Sequence, residues 1–387
     1  MADSFQETSM TTPVDPTEIY RSIGVRTAIN ASGTTTAYGG TKLRPEAMAS
    51  MAQAATVLVD INELNKRAGE IIAEIVGAEA AFVSSGAAGG LVLQAAAVIA
   101  GSDPSKMAQL PDTTGLKDEI IIQNCHRFAY DQAYRVAGAK LVGIGEGRRC
   151  HQWQLEAAYS DKTAAVAFLI SPFYTRRGLT LTEVVDSAHS HDVPVIVDAA
   201  STLPPRANLR TALDQGADMV ILSGGKGVRG PQGTGILLGR RDLIEAAASN
   251  ASPNQFLGRG MKVAKEEIVG LITALKVFID EDEEAETRRY TIMCQQIVDA
   301  LIEMPGLEVT IKHDQIDYMI PNAVFRFTSD WHGPTRDEIF ERMSDGDPRI
   351  FLHTLGNPDE LAVDPMNIDE QELKIVINRL VEELGRS

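Results

Sequence analysis

The chain has little cysteine, few aromatic residues and too few basic residues to balance its acids. Its three cysteines, Cys125, Cys150 and Cys294, are odd in number and far apart, and none forms a C-x-x-C pair. That excludes a disulfide framework and a cysteine-built zinc site, and it fits a reducing compartment. Against 53 acidic residues stand 36 basic ones, a net charge of −17, with no long basic run. Nucleic-acid backbones are held by clustered Lys and Arg, so no nucleic-acid partner is expected. The opening MADSFQETSMTTPVDP is polar and lacks the basic-then-apolar order of a secretory signal. One charge-free stretch, 80–102, has the length of a membrane span, but SSGAAGG divides it into a short strand and a buried helix. These absences predict a cytoplasmic protein with no membrane partner and no bound metal.

What is present is a repeated alternation of apolar strands and helices. AAFVS, DEIIIQN, KLVGIG, TAAVAFLIS, VPVIVDAA, DMVILS and GTGILLG read as strands, several of them apolar throughout. PEAMASMAQAA, INELNKRAGEIIAEIVG, LVLQAAAVIAG, HRFAYDQAYRVAG and LTEVVDSAHSHD read as helices between them. Such a pattern predicts an α/β class with a mainly parallel sheet covered on both faces. The region 266–304 reads as long amphipathic helix, with the acidic run EDEEAE as a solvated face near its middle. After it, short strands (LEVTI, AVFRF, RIFLH, ELAVD) and two helices predict a compact α+β unit. The expected division is a tail at 1–16, a large domain at 17–285 with its linking helix, and a small C-terminal α+β domain at 286–387.

The stretch DMVILSGGKGVRGPQGTGILLG carries the sharpest chemical signal. Gly225, Gly227 and Gly230 spell G-x-G-x-x-G, the dinucleotide fingerprint, and Gly225-Lys226 resembles the end of a phosphate loop. The first reading needs a helix after the glycines, yet Pro231 follows at once and GTGILLG begins a few residues later. The second needs Ser or Thr after the lysine, where Gly227 stands. Both fail, leaving a strand–loop–strand with Lys226 at its tip. On the loop alone, a lysine pointing into solvent is equally consistent.

Two further features give that lysine partners. Asp198 ends the apolar strand VPVIVD, where open α/β sheets place ligands, although strand-end aspartates also serve as caps or metal ligands. Ser84, Ser85 and Gly86 precede an apolar helix whose amino end can hold an anion, although a simple Ser cap looks the same. A lysine for an aldehyde, a carboxylate for a pyridine nitrogen and an anion site for a phosphate together describe pyridoxal 5′-phosphate. Ser223 is a further phosphate donor, and His126, after strand DEIIIQN, is placed to stack on the ring.

INASGTTTAYGG, GAEAAFVSSGAAGG, VIVDAA, SGGKGVRGPQGTG and GRGMKVAKEEIVGLITAL occur in an order that resembles the fold-type-I pyridoxal-phosphate enzymes, more closely the selenocysteine-synthase-like family. The resemblance runs from about Ile23 to Phe278. It implies a Schiff base at Lys226, a pyridinium partner in Asp198, and phosphate ligands in Ser84, Ser85, Gly86 and Ser223. Ala200 joins the cofactor-binding set, with His126 on the ring and Arg259 and Lys262 reaching a neighbouring subunit's cofactor. A homo-oligomer, at least a dimer, is therefore expected. The selenium transferases carry an additional tRNA-binding region before the shared segment, and about twenty residues precede it here. The expected activity is thus a lyase on a small amino acid or amino-sugar acid, D-glucosaminate or its 6-phosphate above all. Racemase and aldolase chemistry, which share the same cofactor residues, remain alternatives. Arg176, Arg177, Arg229, Arg349 and His353 are the candidate anchors for substrate carboxylate or phosphate.

Overall fold

The computed structural model describes residues 15–147, 149–171, 178–314, 318–354 and 356–385. Its strands, in chain order, are β1 (Ala28–Ala31), β2 (Ala80–Ser85), β3 (Glu119–Gln123), β4 (Lys140–Ile144), β5 (Thr163–Leu169) and β6 (Val195–Asp198). They continue with β7 (Met219–Ser223), β8 (Thr234–Gly239), β9 (Leu307–Lys312), β10 (Asn322–Phe327), β11 (Arg349–Leu352) and β12 (Glu360–Val363). Seven strands form one sheet in the order β2-β8-β7-β6-β5-β3-β4. All pairings are parallel except those of β8, which runs antiparallel to both β2 and β7.

Strands β5 to β8 are buried along their whole length, which explains their near-continuous apolar sequences. Successive side chains point to opposite faces, so Val220 and Leu222 join one core while Met219 and Ile221 join the other. Helices Ile61–Val76, Leu181–Ser190 and Lys265–Asp280 cover the first face; Gly86–Ala100 and Arg241–Asn250 cover the second. The charge-free stretch 80–102 is accordingly β2 followed by a helix sealed in the core. No helix among the described residues is long and apolar enough to cross a membrane.

Three elements differ from the sequence expectation. HRFAYDQAYRVAG forms two short 3-10 turns and a brief helix, Gln132–Val136, in place of one continuous helix. The buried Asp131 carboxylate takes both Arg127 and Arg135, and Phe128 is fully extended, so the chain is pinched before helix can propagate. The long helix over 266–304 is two, Lys265–Asp280 and Glu283–Leu301, because Asp282 caps the second by accepting from Ala285 N–H at 2.9 Å. Its acidic run is not wholly solvated either. Glu281 receives both terminal nitrogens of buried Arg44, at 2.9 and 2.7 Å, and Glu286 receives Arg289.

β9, β10 and β12 make a small antiparallel sheet. β11 instead runs parallel to β1, pairing Ala28 with Arg349, so Ile29 and Ala31 belong to the core built by residues 293–384.

Candidate active site

The carboxyl ends of β5, β6 and β7 and the amino end of helix Gly86–Ala100 surround a cavity of about 260 Å³. Lys226, Asp198, Ala200, Ser223 and Gly86, all singled out in the sequence, line it. A larger groove, about 560 Å³, lies outside β2 between helices Ile61–Val76 and Arg241–Asn250, and holds neither Lys226 nor Asp198. The chemistry of the lining, not volume, identifies the site.

Lys226 sits in the turn joining β7 to β8. The turn is closed by Arg229 N–H to the Lys226 carbonyl at 2.8 Å and Gly230 N–H to the Gly224 carbonyl at 2.9 Å. The glycines make room for neighbouring backbone, not for a ligand as their number implies. A Cβ on Gly227 would lie 2.4 Å from the Leu203 carbonyl oxygen, and one on Gly225 would lie 2.5 Å from the Gln232 Cα. Within this tight frame the Lys226 ammonium donates to Ser201 Oγ at 2.6 Å.

Asp198 is buried, and one of its oxygens accepts from Ala200 N–H at 3.0 Å. Burial raises its pKa; the Ala200 N–H and the Lys226 charge pull it partly back. Burial lowers the Lys226 pKa, against the opposing pull of Asp198. Desolvation therefore outweighs mutual attraction for both groups, and each is poised for a third, charge-bearing partner.

At the helix end, Gly86 adopts φ +63 and its N–H is already bonded to the Gly233 carbonyl at 2.8 Å. The Ser84 hydroxyl donates to the Gly86 carbonyl at 2.9 Å, so Ser84 fixes the turn from below. Ser85 makes no side-chain cap, and Ala87 and Ala88, which line the cavity, carry first-turn N–H groups with no intrahelical partner. An anion at this end would meet those two amides and Ser223.

The other expected residues lie elsewhere. His126 is fully buried behind the wall, its ring edge-on to Phe168 at 4.6 Å and its Nδ1 accepting from Leu169 N–H at 3.4 Å. The short turn that replaces the expected helix holds it there, and Phe128 and Tyr130 supply the aromatic lining instead. Arg259 and Lys262 are exposed and off the cavity. Arg229 opens into a second cavity. Arg349 sits on β11 over Phe351, and half-buried His353 follows it. Arg176 and Arg177 lie outside the described residues. Three lining residues have no signal in the local sequence: Ser201, the lysine's partner, and the pair Thr36 and Gln232, joined at 3.3 Å. Among the described residues no group of three or more His, Cys, Asp or Glu could hold a metal ion.

The L-seryl-tRNA selenium transferase family model matches residues 29–304. A D-glucosaminate-6-phosphate ammonia lyase of Salmonella typhimurium is 30% identical over 370 residues, spanning 94% of this chain and 97% of the relative. A 5′-C-glycyluridine monooxygenase-decarboxylase of a Streptomyces species is 30% identical over 371 residues, spanning 94% and 91%. The solved structure of a D-glucosaminate-6-phosphate ammonia-lyase superposes with a TM-score of 0.84 at 29% identity, covering 95% of this chain and 98% of that one. The shared architecture is fold type I, as expected from the sequence.

Proposed function

As the chain belongs to the L-seryl-tRNA selenium transferase family, we propose that it is a pyridoxal-phosphate-dependent lyase acting on a small amino acid or amino-sugar acid. The observation that most supports this is the meeting, in one cavity, of Lys226, Asp198 and the amino end of helix Gly86–Ala100. The residues present suit the cofactor: a buried carboxylate without a cation bonded to it among the described residues, a lysine whose pKa burial lowers, and first-turn helix amides with no side-chain cap. When bound, pyridoxal phosphate supplies an aldehyde for amines and an electron sink for negative charge at the substrate α-carbon.

In this reading Lys226 would hold the cofactor's aldehyde, and its Nζ would take the substrate α-proton. Ser201 fixes the direction of Nζ. Asp198 would face the pyridine nitrogen and favour its protonated form, and its buried position would exclude water from that contact. Ala87, Ala88 and Ser223 hold the phosphate. The net reaction removes the α-proton and a β-hydroxyl and yields a 2-oxo acid and ammonia. D-Glucosaminate, free or as its 6-phosphate, is the substrate most consistent with the ammonia-lyase relative. The exposed Arg259 and Lys262 serve a neighbouring subunit's cofactor phosphate, which makes the working form at least a homodimer.

Borohydride reduction followed by peptide mass mapping tests the cofactor assignment. A pyridoxyl adduct is expected on Lys226 and absent in Lys226→Ala; an adduct on another lysine sinks the assignment. A panel of D- and L-amino acids and amino-sugar acids tests the reaction. Ammonia with 2-oxo acid, and no added keto-acid acceptor, is expected. Racemised or Cα–Cβ-cleaved product without ammonia selects the racemase or aldolase instead.

A further inference from the structure

Behind the lysine turn lies a second cavity, of about 120 Å³, between helix Lys265–Asp280, helix Glu283–Leu301 and the segment near Ile320. Arg229 enters it from the turn that carries Lys226 on its other side. Its backbone is left-handed, φ +58, a conformation that disfavours a residue with a side chain. Glycine would be at ease here, so the arginine is held at a conformational cost.

The guanidinium is under-used. Nε donates to the Lys42 carbonyl at 3.3 Å, and among the described residues neither terminal nitrogen has a hydrogen-bond partner. The surrounding carboxylates are committed to other donors. Glu281 is gripped by Arg44, Glu286 by Arg289, and Glu283 accepts from the Arg206 backbone N–H. Arg229 is therefore a half-buried cation with an unpaired fork, beside Glu281, Glu283 and Glu286, which line the same cavity but are held by other donors. Phe278, Met319, Ile320 and Met366 supply an apolar part of the wall, beside the polar Arg44, Thr287, Tyr290 and His313.

We propose that this second cavity binds a small oxyanion, carboxylate or phosphate, on the Arg229 fork, the apolar wall accommodating a short hydrocarbon chain. A planar guanidinium with two free N–H edges matches such a group bidentately. The site is separate from the Lys226 cavity. The two cavities share no lining residue, so a ligand there would not occupy the Lys226 site.

Titration calorimetry tests it, with propionate and inorganic phosphate as separate probes, on protein saturated with pyridoxal phosphate and on protein without it. Either probe is expected to bind in both forms, and which one binds identifies the source of the oxyanion. Arg229→Gly, which suits the left-handed backbone, should weaken binding about tenfold or more, the loss of one charge-assisted hydrogen bond. Arg229→Asn, which also tolerates that backbone, should do the same and guards against an effect of altered folding in one variant. Equal binding by both variants, or no binding of either probe to the wild type, overturns the proposal. So does binding that vanishes once pyridoxal phosphate is present, because it belongs to the Lys226 cavity. Failure of the cofactor assignment leaves this result readable, since the cofactor-free arm stands alone.

Discussion

At the residue scale, burial acts in opposite directions on the two titratable groups of the candidate site, and one hydroxyl orients the lysine. It lowers the pKa of Lys226 and raises that of Asp198. Ser201→Ala should lower turnover about tenfold, the value of one hydrogen bond of roughly 1.5 kcal/mol to a charged group. It should also shift the limb of the pH–rate profile that reports Lys226, which a purely structural role would leave in place. Burial lowers the pKa of His353 from 6.5 to about 4. The unfolded chain then binds this proton first, so His353 contributes stability above pH 6.5 that is lost as pH falls toward 4. His353→Gln should flatten that part of the curve of urea midpoint against pH. Asp364, raised by burial from 3.8 to about 6, acts oppositely: its contribution is full below 3.8 and fades as pH rises through 6. Lys226, Asp198, Gly86, Ala200 and Ser223 were legible because Asp198 and Ser223 end strands, Gly86 opens a helix, and Ala200 and Lys226 follow shortly after those strand ends in recognisable runs. Ser201, Thr36 and Gln232 were not. Thr36 meets Gln232 across 196 residues of sequence, a contact that no local pattern encodes.

At the scale of elements, the lysine turn is rigid because other backbone is packed into its glycines. Gly227→Ala would drive a Cβ against the Leu203 carbonyl, which is backbone and has little freedom to yield. An overpacking cost of about 1–3 kcal/mol is expected, measured as a lower Tm, together with weaker cofactor retention as Lys226 is displaced. The loop 34–39, which brings Thr36 to the cavity, is clamped at its base. Buried Asn30 and Asn367 each donate through Nδ2 to both the Gly33 and Gly40 carbonyls, at 2.7 to 3.2 Å. Strand and helix periodicity fixed the large sheet well, because its interior strands are uniformly apolar. It failed at HRFAYDQAYRVAG, where helical spacing was present but a buried carboxylate between two arginines overrode it. It also passed over the break near Asp282, where an N-cap inside an acidic run looks like continued solvated helix.

For the whole molecule, one of the exposed apolar stretches is a run of three consecutive residues in a loop. Val57, Leu58 and Val59 are 57%, 92% and 49% exposed, close to the segment bearing Arg259 and Lys262, where Lys265 reaches the Ala54 carbonyl at 2.7 Å. If this surface is buried between subunits, Leu58→Asp should shift light-scattering mass toward the monomer and weaken cofactor binding with it. A dimer unaffected by that substitution would place the interface elsewhere. The pairing of β1 with β11 bears on how the chain is made. β1 leaves the ribosome early, but the strand it joins follows more than 300 residues later. At ordinary elongation rates it waits roughly 15–60 s without its partner. The seven-stranded sheet can assemble during that interval, whereas β1, made before all of that sheet's strands, is kept in reserve until β11 emerges to place it in the C-terminal core.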